Sequence, residues 1–130
     1  SDQYAVAIGD QAGQGGMGYG AVAMGYEAGY GAANYSVALG YGAGWGDGPS
    51  LGAYQLALGA YAGELSTSGS QNTAVGYGAY AANTGTATGS HNTAVGNAAL
   101  IDNTSGSYNT GIGDSARSVQ KSRTADERSG

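Results

Sequence analysis

The chain has 130 residues and a mass of 12.6 kDa, with 27 Gly and 24 Ala but only six Val, six Leu, three Ile and no Phe. So few large aliphatic side chains exclude a conventional globular core, and leave either disorder or a thin structure with small residues at fixed positions. Residues 1–116 carry seven acidic residues and no Lys or Arg before Arg117, which argues against binding to nucleic acid or to an anionic membrane surface.

Seven short segments along the chain share one pattern: a β-branched or aliphatic residue, a small residue, an aliphatic residue or Met, and then Gly. Their alternation predicts a strand in which the first and third side chains share one face and the small residue points to the other. The glycines recur every 15 to 20 residues, and Ala stands three positions after each of them. The predicted structural repeat residues are Gly9, Gly25, Gly40, Gly59, Gly76, Gly96 and Gly113, with Ala12, Ala28, Ala43, Ala62, Ala79, Ala99 and Ala116.

These repeats predict an all-β fold, a parallel β-roll or β-solenoid of about seven coils over residues 1–116, because equivalent positions of successive coils stack into ladders. Each Gly is expected at a corner, where a positive φ or a close backbone approach is needed. A roll of Ala and Val has a thin core, so we expect three rolls to pack together through the small-residue face. Residues 117–130 break the pattern and carry all four basic residues, which indicates a C-terminal neck, linker or tail.

The connections between the predicted strands vary along the chain. The first three are rich in Gly and Tyr, and the last three are rich in Asn, Thr, Ser and Gly. Residues 44–52 form an insertion, Gly-Trp-Gly-Asp-Gly-Pro-Ser-Leu-Gly, with the only Trp and the only Pro of the chain. Because insertions in solenoids map to loops that often bind partners, Trp45 is the first candidate for a binding residue.

Catalytic and metal sites find little support in the sequence. His91, the only His, lies in a Gly-Ser-His-Asn turn and is expected to be an exposed loop residue. Asp10 and Asp114 belong to the first and last coils, too far apart for paired acid–base chemistry. A calcium site at Asp47 would need stacked copies of its motif, and only one copy is present. We therefore expect no enzymatic activity, no cofactor and no metal.

The aromatic residues are eleven Tyr and one Trp, with no Phe. This preference for rings with a polar group indicates that they lie at interfaces or surfaces, where the polar group stays hydrated. Tyr26, Tyr41 and Tyr77 follow the corner glycine directly. Two interpretations stay open: a stacked ladder or interchain seam, and a platform for sugar rings or a protein receptor. The candidate receptor-binding residues are Trp45, Tyr26, Tyr41, Tyr54, Tyr61 and Tyr77. An ice-binding face of Thr73, Thr93 and Thr110 would have too few rungs.

Residues 36–43, Ser-Val-Ala-Leu-Gly-Tyr-Gly-Ala, resemble the Asn-Ser-Val-Ala-Ile-Gly-x-x-Ser-x-Ala repeat in the heads of trimeric autotransporter adhesins. Residues 72–80, Asn-Thr-Ala-Val-Gly-Tyr-Gly-Ala-Tyr, and 92–100, Asn-Thr-Ala-Val-Gly-Asn-Ala-Ala-Leu, are similar to the related repeats of bacteriophage tail fibres. The resemblance covers about residues 4–116. It implies a left-handed parallel β-roll that assembles as a homotrimer and serves in surface attachment.

The resemblance favours a non-enzymatic receptor-binding module at the tip of a trimeric phage tail fibre. Its expected partners are two further copies of the chain and a glycan or protein receptor on a host cell surface, without membrane insertion. Its expected location is extracellular, on a virion tail fibre or a bacterial cell surface. A bacterial adhesin head and a purely structural fibre spacer remain the alternatives; variable loops favour recognition, whereas uniform coils would suit a spacer.

Overall fold

The computed structural model describes residues 4–31, 33–46, 53–66, 68–82 and 87–117. These residues contain no helix and form seven strands of three residues each: β1 (Val6–Ile8), β2 (Val22–Met24), β3 (Val37–Leu39), β4 (Leu56–Leu58), β5 (Thr73–Val75), β6 (Thr93–Val95) and β7 (Thr110–Ile112). The strands pair in parallel and in chain order, so the chain rises by one rung per turn through six turns. The all-β parallel solenoid is thereby confirmed, whereas Asp47 and residues 118–130 lie outside the described residues.

Neighbouring rungs are in register. In β2 and β3, for example, Val22 pairs with Val37 and Ala23 with Ala38. Backbone hydrogen bonds continue beyond the strands, since the Val22 N–H donates to the Ser36 carbonyl at 2.9 Å and the Gly40 N–H to the Met24 carbonyl at 2.9 Å. Equivalent bonds recur on each turn, so the chain is held by backbone ladders that satisfy polar groups without a thick apolar core.

Two columns of alanine fill the interior. The middle residues of β2 to β6, Ala23, Ala38, Ala57, Ala74 and Ala94, are at most 4% exposed. The alanines three positions after the corner glycines are fully buried in the same five turns: Ala28, Ala43, Ala62, Ala79 and Ala99. At the two end rungs, Ala12 and Ala116 are half-buried. The width of the coil thus accommodates methyl groups and little more at these positions.

The expectation that three rolls pack through the small-residue face is therefore wrong. Those residues face the inside of their own roll, where nothing from a neighbouring chain can reach them. The first and third strand residues, such as Leu56 and Leu58, point outward and are half-buried. The alternation of side chains along a strand shows which residues share a face, but it does not show which face lies inside the coil. Here the coil is narrow, so the face with the smaller side chains lies inside.

A third interior column, one residue before each strand, becomes polar toward the C-terminal end. Ser36 and Gln55 are followed there by Asn72, Asn92 and Asn109, and the three Asn residues are at most 2% exposed. The Asn92 backbone N–H donates to Asn72 Oδ1 at 2.9 Å, and the Asn109 N–H donates to Asn92 Oδ1 at 2.9 Å. Among the described residues this ladder ends at Asn109, whose side-chain amide is buried without a hydrogen-bond partner.

Tyr80 has the largest fully buried side chain among the described residues, and it is hydrogen-bonded to this polar ladder. Its hydroxyl donates to the Gly89 carbonyl at 2.8 Å and accepts from Asn92 Nδ2 at 3.0 Å. Burial raises the pKa of the Tyr80 hydroxyl above its ordinary value, and the hydrogen bond from Asn92 opposes part of that shift. The fold therefore favours the protonated phenol.

Close stacking at the corner glycines is the first testable feature of the fold. A Cβ on Gly76, where φ is 125°, would lie 2.6 Å from the Gly96 carbonyl oxygen, whereas a Cβ on Gly113, with φ of 124°, meets no atom of the described residues within 4 Å. Both Gly→Ala changes impose the same backbone strain, of about 1–3 kcal/mol. We expect Gly76→Ala to lower the free energy of unfolding by at least about 2 kcal/mol more than Gly113→Ala in urea titrations. Equal losses would contradict rung-to-rung contact at the corner.

Tyr80→Phe tests the buried phenol by its pH dependence. At neutral pH the unfolding free energy of the variant should be about 1 kcal/mol lower than that of the wild type, because the variant lacks the hydroxyl that makes two hydrogen bonds. In the wild type, the unfolded chain ionises near the ordinary pKa of 10.0 while the folded chain keeps its proton, so stability falls as the pH rises above that value. Urea titrations from neutral to strongly alkaline pH should show the difference between the two proteins shrinking above about pH 10. A difference that stays constant would rule out the protonated, buried state.

Candidate functional site

The outer face of the strands forms an apolar strip along the solenoid. Its side chains are the first and third residues of each rung, and Ile8, Met24 and Ile112 are 55%, 41% and 69% exposed. None of the seven described strands contains a charged residue. In the last three rungs Thr73, Thr93 and Thr110 share one column, so the strip becomes partly hydroxylated at that end. A continuous apolar surface of this kind is typical of an interface.

A ladder of four tyrosines lies one or two positions after the corner glycines; we call it the post-corner ladder. The ring centroids of Tyr26 and Tyr41 are 5.1 Å apart and stacked, and those of Tyr41 and Tyr61 are 5.4 Å apart in an edge-to-face contact. Tyr77 continues the ladder at 5.8 Å from Tyr61. Tyr61 follows its glycine by two positions instead of one, so the structure brings together four of the predicted site residues that the sequence places in two different columns.

Two hydroxyls of the post-corner ladder have raised pKa values. The neighbouring Glu27 carboxylate raises the pKa of Tyr26, chiefly through its negative charge and also by a hydrogen bond to the phenol. Partial desolvation raises the pKa of Tyr61, and Tyr41 adds to this effect. Tyr26 and Tyr61 therefore present neutral phenol groups, able to donate and accept hydrogen bonds, throughout the physiological pH range.

A second ladder precedes the strands; we call it the pre-strand ladder. It joins Tyr4, Tyr19, Tyr35 and Tyr54 with centroid distances of 5.6, 5.6 and 5.3 Å. Tyr54, a predicted site residue, belongs to this ladder and not to the group of Tyr26 and Tyr41. The other three members are not among the predicted site residues, although Tyr4 and Tyr35, like Tyr54, stand two residues before a strand, a spacing that identifies this column.

His91 and Tyr108 also stand two residues before a strand, in the last two turns toward the C-terminal end. Their rings are stacked at 4.7 Å with an interplanar angle of 4°, and both are exposed. Like Tyr35 and Tyr54 they have a left-handed backbone, with φ of 59° and 62°. This conformation is uncommon for residues with large side chains, and it turns the ring outward at each coil. His91 is thus an exposed turn residue that stacks on a neighbour.

Trp45 lies apart from both ladders. It is half-buried, and its ring centroid is 6.0 Å from that of Tyr30 in a tilted contact. Its backbone carbonyl accepts a hydrogen bond from the Leu65 N–H at 2.7 Å. The predicted binding residues therefore divide into three places: four in the post-corner ladder, Tyr54 in the pre-strand ladder and Trp45 beside Tyr30.

The acidic residues do not gather into a site. Asp10 follows the corner glycine of the first rung and Asp114 that of the last, where Asn97 Nδ2 donates to Asp114 Oδ1 at 2.8 Å. Within the described parts of the chain, no three His, Cys, Asp or Glu side chains come together as metal ligands would. The same residues include no helix with the length and hydrophobicity needed to cross a membrane.

Comparison of the chain with protein-family models, with curated proteins and with solved structures produced no match.

The post-corner ladder should contribute to stability in proportion to ring contacts. Tyr41 has a ring neighbour on each side, whereas Tyr77 has only Tyr61 among the described residues. With about 0.5–1.5 kcal/mol for each aromatic pair, Tyr41→Ala should lower the unfolding free energy by about twice as much as Tyr77→Ala. Urea titrations followed by circular dichroism measure both values. If the Tyr41 variant proved no less stable than the Tyr77 variant, the rings would be neighbours without an energetic ladder.

Proposed function

We propose that the chain is a non-enzymatic attachment module of a trimeric fibre, at the tip of a phage tail fibre, and that it recognises a glycan or protein on the host surface. This proposal is supported chiefly by one observation. The outer strand face is uncharged and apolar, and it lies between the pre-strand ladder and the post-corner ladder of tyrosines along the chain. One part of this surface suits assembly between copies, and the other suits recognition.

Assembly is assigned to the outer strand face. The interior alanine columns bury little apolar surface, while Leu39, Leu56 and Leu58 remain partly exposed on the outside. Three rolls that meet through this face would bury the aliphatic strip, and threefold symmetry places each roll in an equivalent environment. The resemblance to adhesin heads and tail fibres implies a left-handed roll that assembles as a homotrimer.

Recognition is assigned to the predicted site residues, which are Trp45 and the tyrosines Tyr26, Tyr41, Tyr54, Tyr61 and Tyr77. Exposed Tyr rings combine a flat apolar surface with a hydroxyl group at little cost in conformational entropy, which suits both sugar rings and protein surfaces. Tyr41, Tyr54 and Tyr77 are 49%, 57% and 62% exposed. A structural spacer is the second candidate, since the regular stacking of both ladders would also stiffen a fibre, and a bacterial adhesin head would share this arrangement.

The assembly is tested by mass in solution. Light scattering should give a mass near 38 kDa, three times 12.6 kDa, for the wild type. Leu58→Lys places a charge in the outer strand face and should give the 12.6 kDa monomer, while Gln14→Lys, at an exposed turn residue, should remain trimeric. Circular dichroism verifies that both variants are folded. A monomeric wild type, or a trimeric Leu58→Lys variant, would overturn assembly through this face.

Attachment is tested separately on glycan arrays and on host cells. The wild type should bind, and Trp45→Ala and the Tyr41→Ala/Tyr77→Ala pair should bind more weakly because they remove ring surface. Tyr108→Ala, in the separate stack of His91 and Tyr108, is the control outside both tyrosine ladders and outside the predicted site residues. Absence of wild-type binding to cells and glycans alike would favour the structural spacer.

A further inference from the structure

A groove of about 440 Å³ lies outside the strand face, where three successive turns meet. Its lining includes Tyr61, Glu64 and Leu65 from the turn after β4, Tyr77 and Ala82 from the turn after β5, and Ile101 from the turn after β6. This volume is within the range of small-molecule sites, which is about 300–1,000 Å³. The groove is shallow and open to solvent, and its lining is more apolar than polar, with one acidic group.

The acidic group is Glu64. Its backbone is fixed in the ladder, since the Glu64 N–H donates to the Tyr61 carbonyl at 3.3 Å and the Ala82 N–H donates to the Glu64 carbonyl at 3.0 Å. Its side chain is half-buried, and desolvation raises the pKa of the carboxyl. Within the described residues its carboxylate takes part in no hydrogen bond and no ion pair, and Arg117, the one Lys or Arg among those residues, does not line the groove.

The aromatic part of the groove comes from Tyr61 and Tyr77. Their rings are 5.8 Å apart with an interplanar angle of 85°, so the two rings stand nearly perpendicular to each other. An organic cation is attracted to the face of such rings within about 6 Å of the centroid, and most strongly when water is excluded. A carboxylate beside two such rings, on a chain body with seven acidic residues, favours a positively charged ligand over a neutral or anionic one.

The remaining lining narrows the class of cation. Leu65, Ala82 and Ile101 present alkyl groups, which suit methyl substituents on the ligand. The one carboxylate and two phenols of the groove could accept hydrogen bonds from a primary ammonium group, so the alkyl lining is the feature that favours a methylated cation. A quaternary ammonium has no N–H donor, so it loses no hydrogen bond on entering an alkyl and aromatic groove.

We propose that this groove binds a trimethylammonium group of the choline type, held by Tyr61, Tyr77 and Glu64. The inference deepens the proposed attachment function by naming a chemical class of receptor, because Tyr61 and Tyr77 are among the proposed recognition residues. Phosphocholine on a surface glycan and the headgroup of a phosphatidylcholine lipid share this chemistry.

The direct test is a titration of the full chain with choline chloride, followed by calorimetry and by amide chemical shifts of residues 61–65 and 77–82. The neutral isostere 3,3-dimethylbutan-1-ol has the same shape without the charge and is the matched ligand control. We expect binding of choline, with at least about tenfold weaker binding of the alcohol. Equal affinities, or no binding of choline, would overturn the assignment.

Glu64→Gln removes the charge and keeps the shape, so it should weaken choline binding by about tenfold or more while the protein remains folded. Glu27→Gln is the matched control, because Glu27 also neighbours a tyrosine of the post-corner ladder but lies outside the groove. Unchanged choline affinity in Glu64→Gln, or an equal loss in Glu27→Gln, would contradict a role for this groove.

Two further arms identify the source of the ligand. One titrates phosphocholine in solution, and the other measures whether the protein sediments with vesicles of pure phosphatidylcholine. If the wild type sediments with the vesicles and Glu64→Gln does not, the ligand is the lipid headgroup. Binding of phosphocholine without sedimentation assigns a glycan-borne group. Because these titrations require neither a trimer nor a host cell, they can succeed where the fibre proposal fails, and their failure leaves the fibre proposal standing.

Discussion

Close, in-register stacking of one turn on the next is the constraint on which the rest of this structure depends. At each inner corner, a glycine lies so near the following one that a Cβ on Gly76 would overlap the Gly96 carbonyl. The chain can return to the same column after each turn only if the coil is narrow, and a narrow coil has room for methyl groups at its centre. Ala57 and Ala62 are buried for that reason, and Leu56 and Leu58 are directed outward.

The surface of the solenoid consequently carries the large side chains that a globular domain would bury. Backbone ladders, two alanine columns and the Asn72–Asn92–Asn109 ladder stabilise the inside. The outside presents aliphatic strand residues and stacked tyrosines in repeated columns, and the proposed fibre assembly would use the aliphatic columns. The groove at Glu64 arises from the same stacking, because residues from three turns become neighbours only when the turns are superimposed.

The repeat pattern was sufficient to predict the seven strands, because an aliphatic-small-aliphatic triplet followed by Gly satisfies both strand alternation and a tight corner. The pattern could not indicate which face is interior, since that depends on the width of the coil and not on alternation. The pattern also assigns Tyr61 to a different column from Tyr41 and Tyr77. In the structure Tyr61 has a left-handed backbone, and its ring contacts the ring of Tyr41. The contribution of Glu64 could not be foreseen, because its groove joins turns of unequal length.

The narrow interior is tested most directly by one substitution made at two places in the same rung. Ala57 is 4% exposed and faces inward, whereas the half-buried Ala60 occupies a column that holds Tyr26, Tyr41 and Tyr77 in other turns. Ala57→Leu should lower the free energy of unfolding by about 3 kcal/mol or more, and Ala60→Leu should change it by less than about 1 kcal/mol. Tolerance of leucine at position 57, in urea titrations followed by circular dichroism, would contradict alanine columns that have room only for methyl groups.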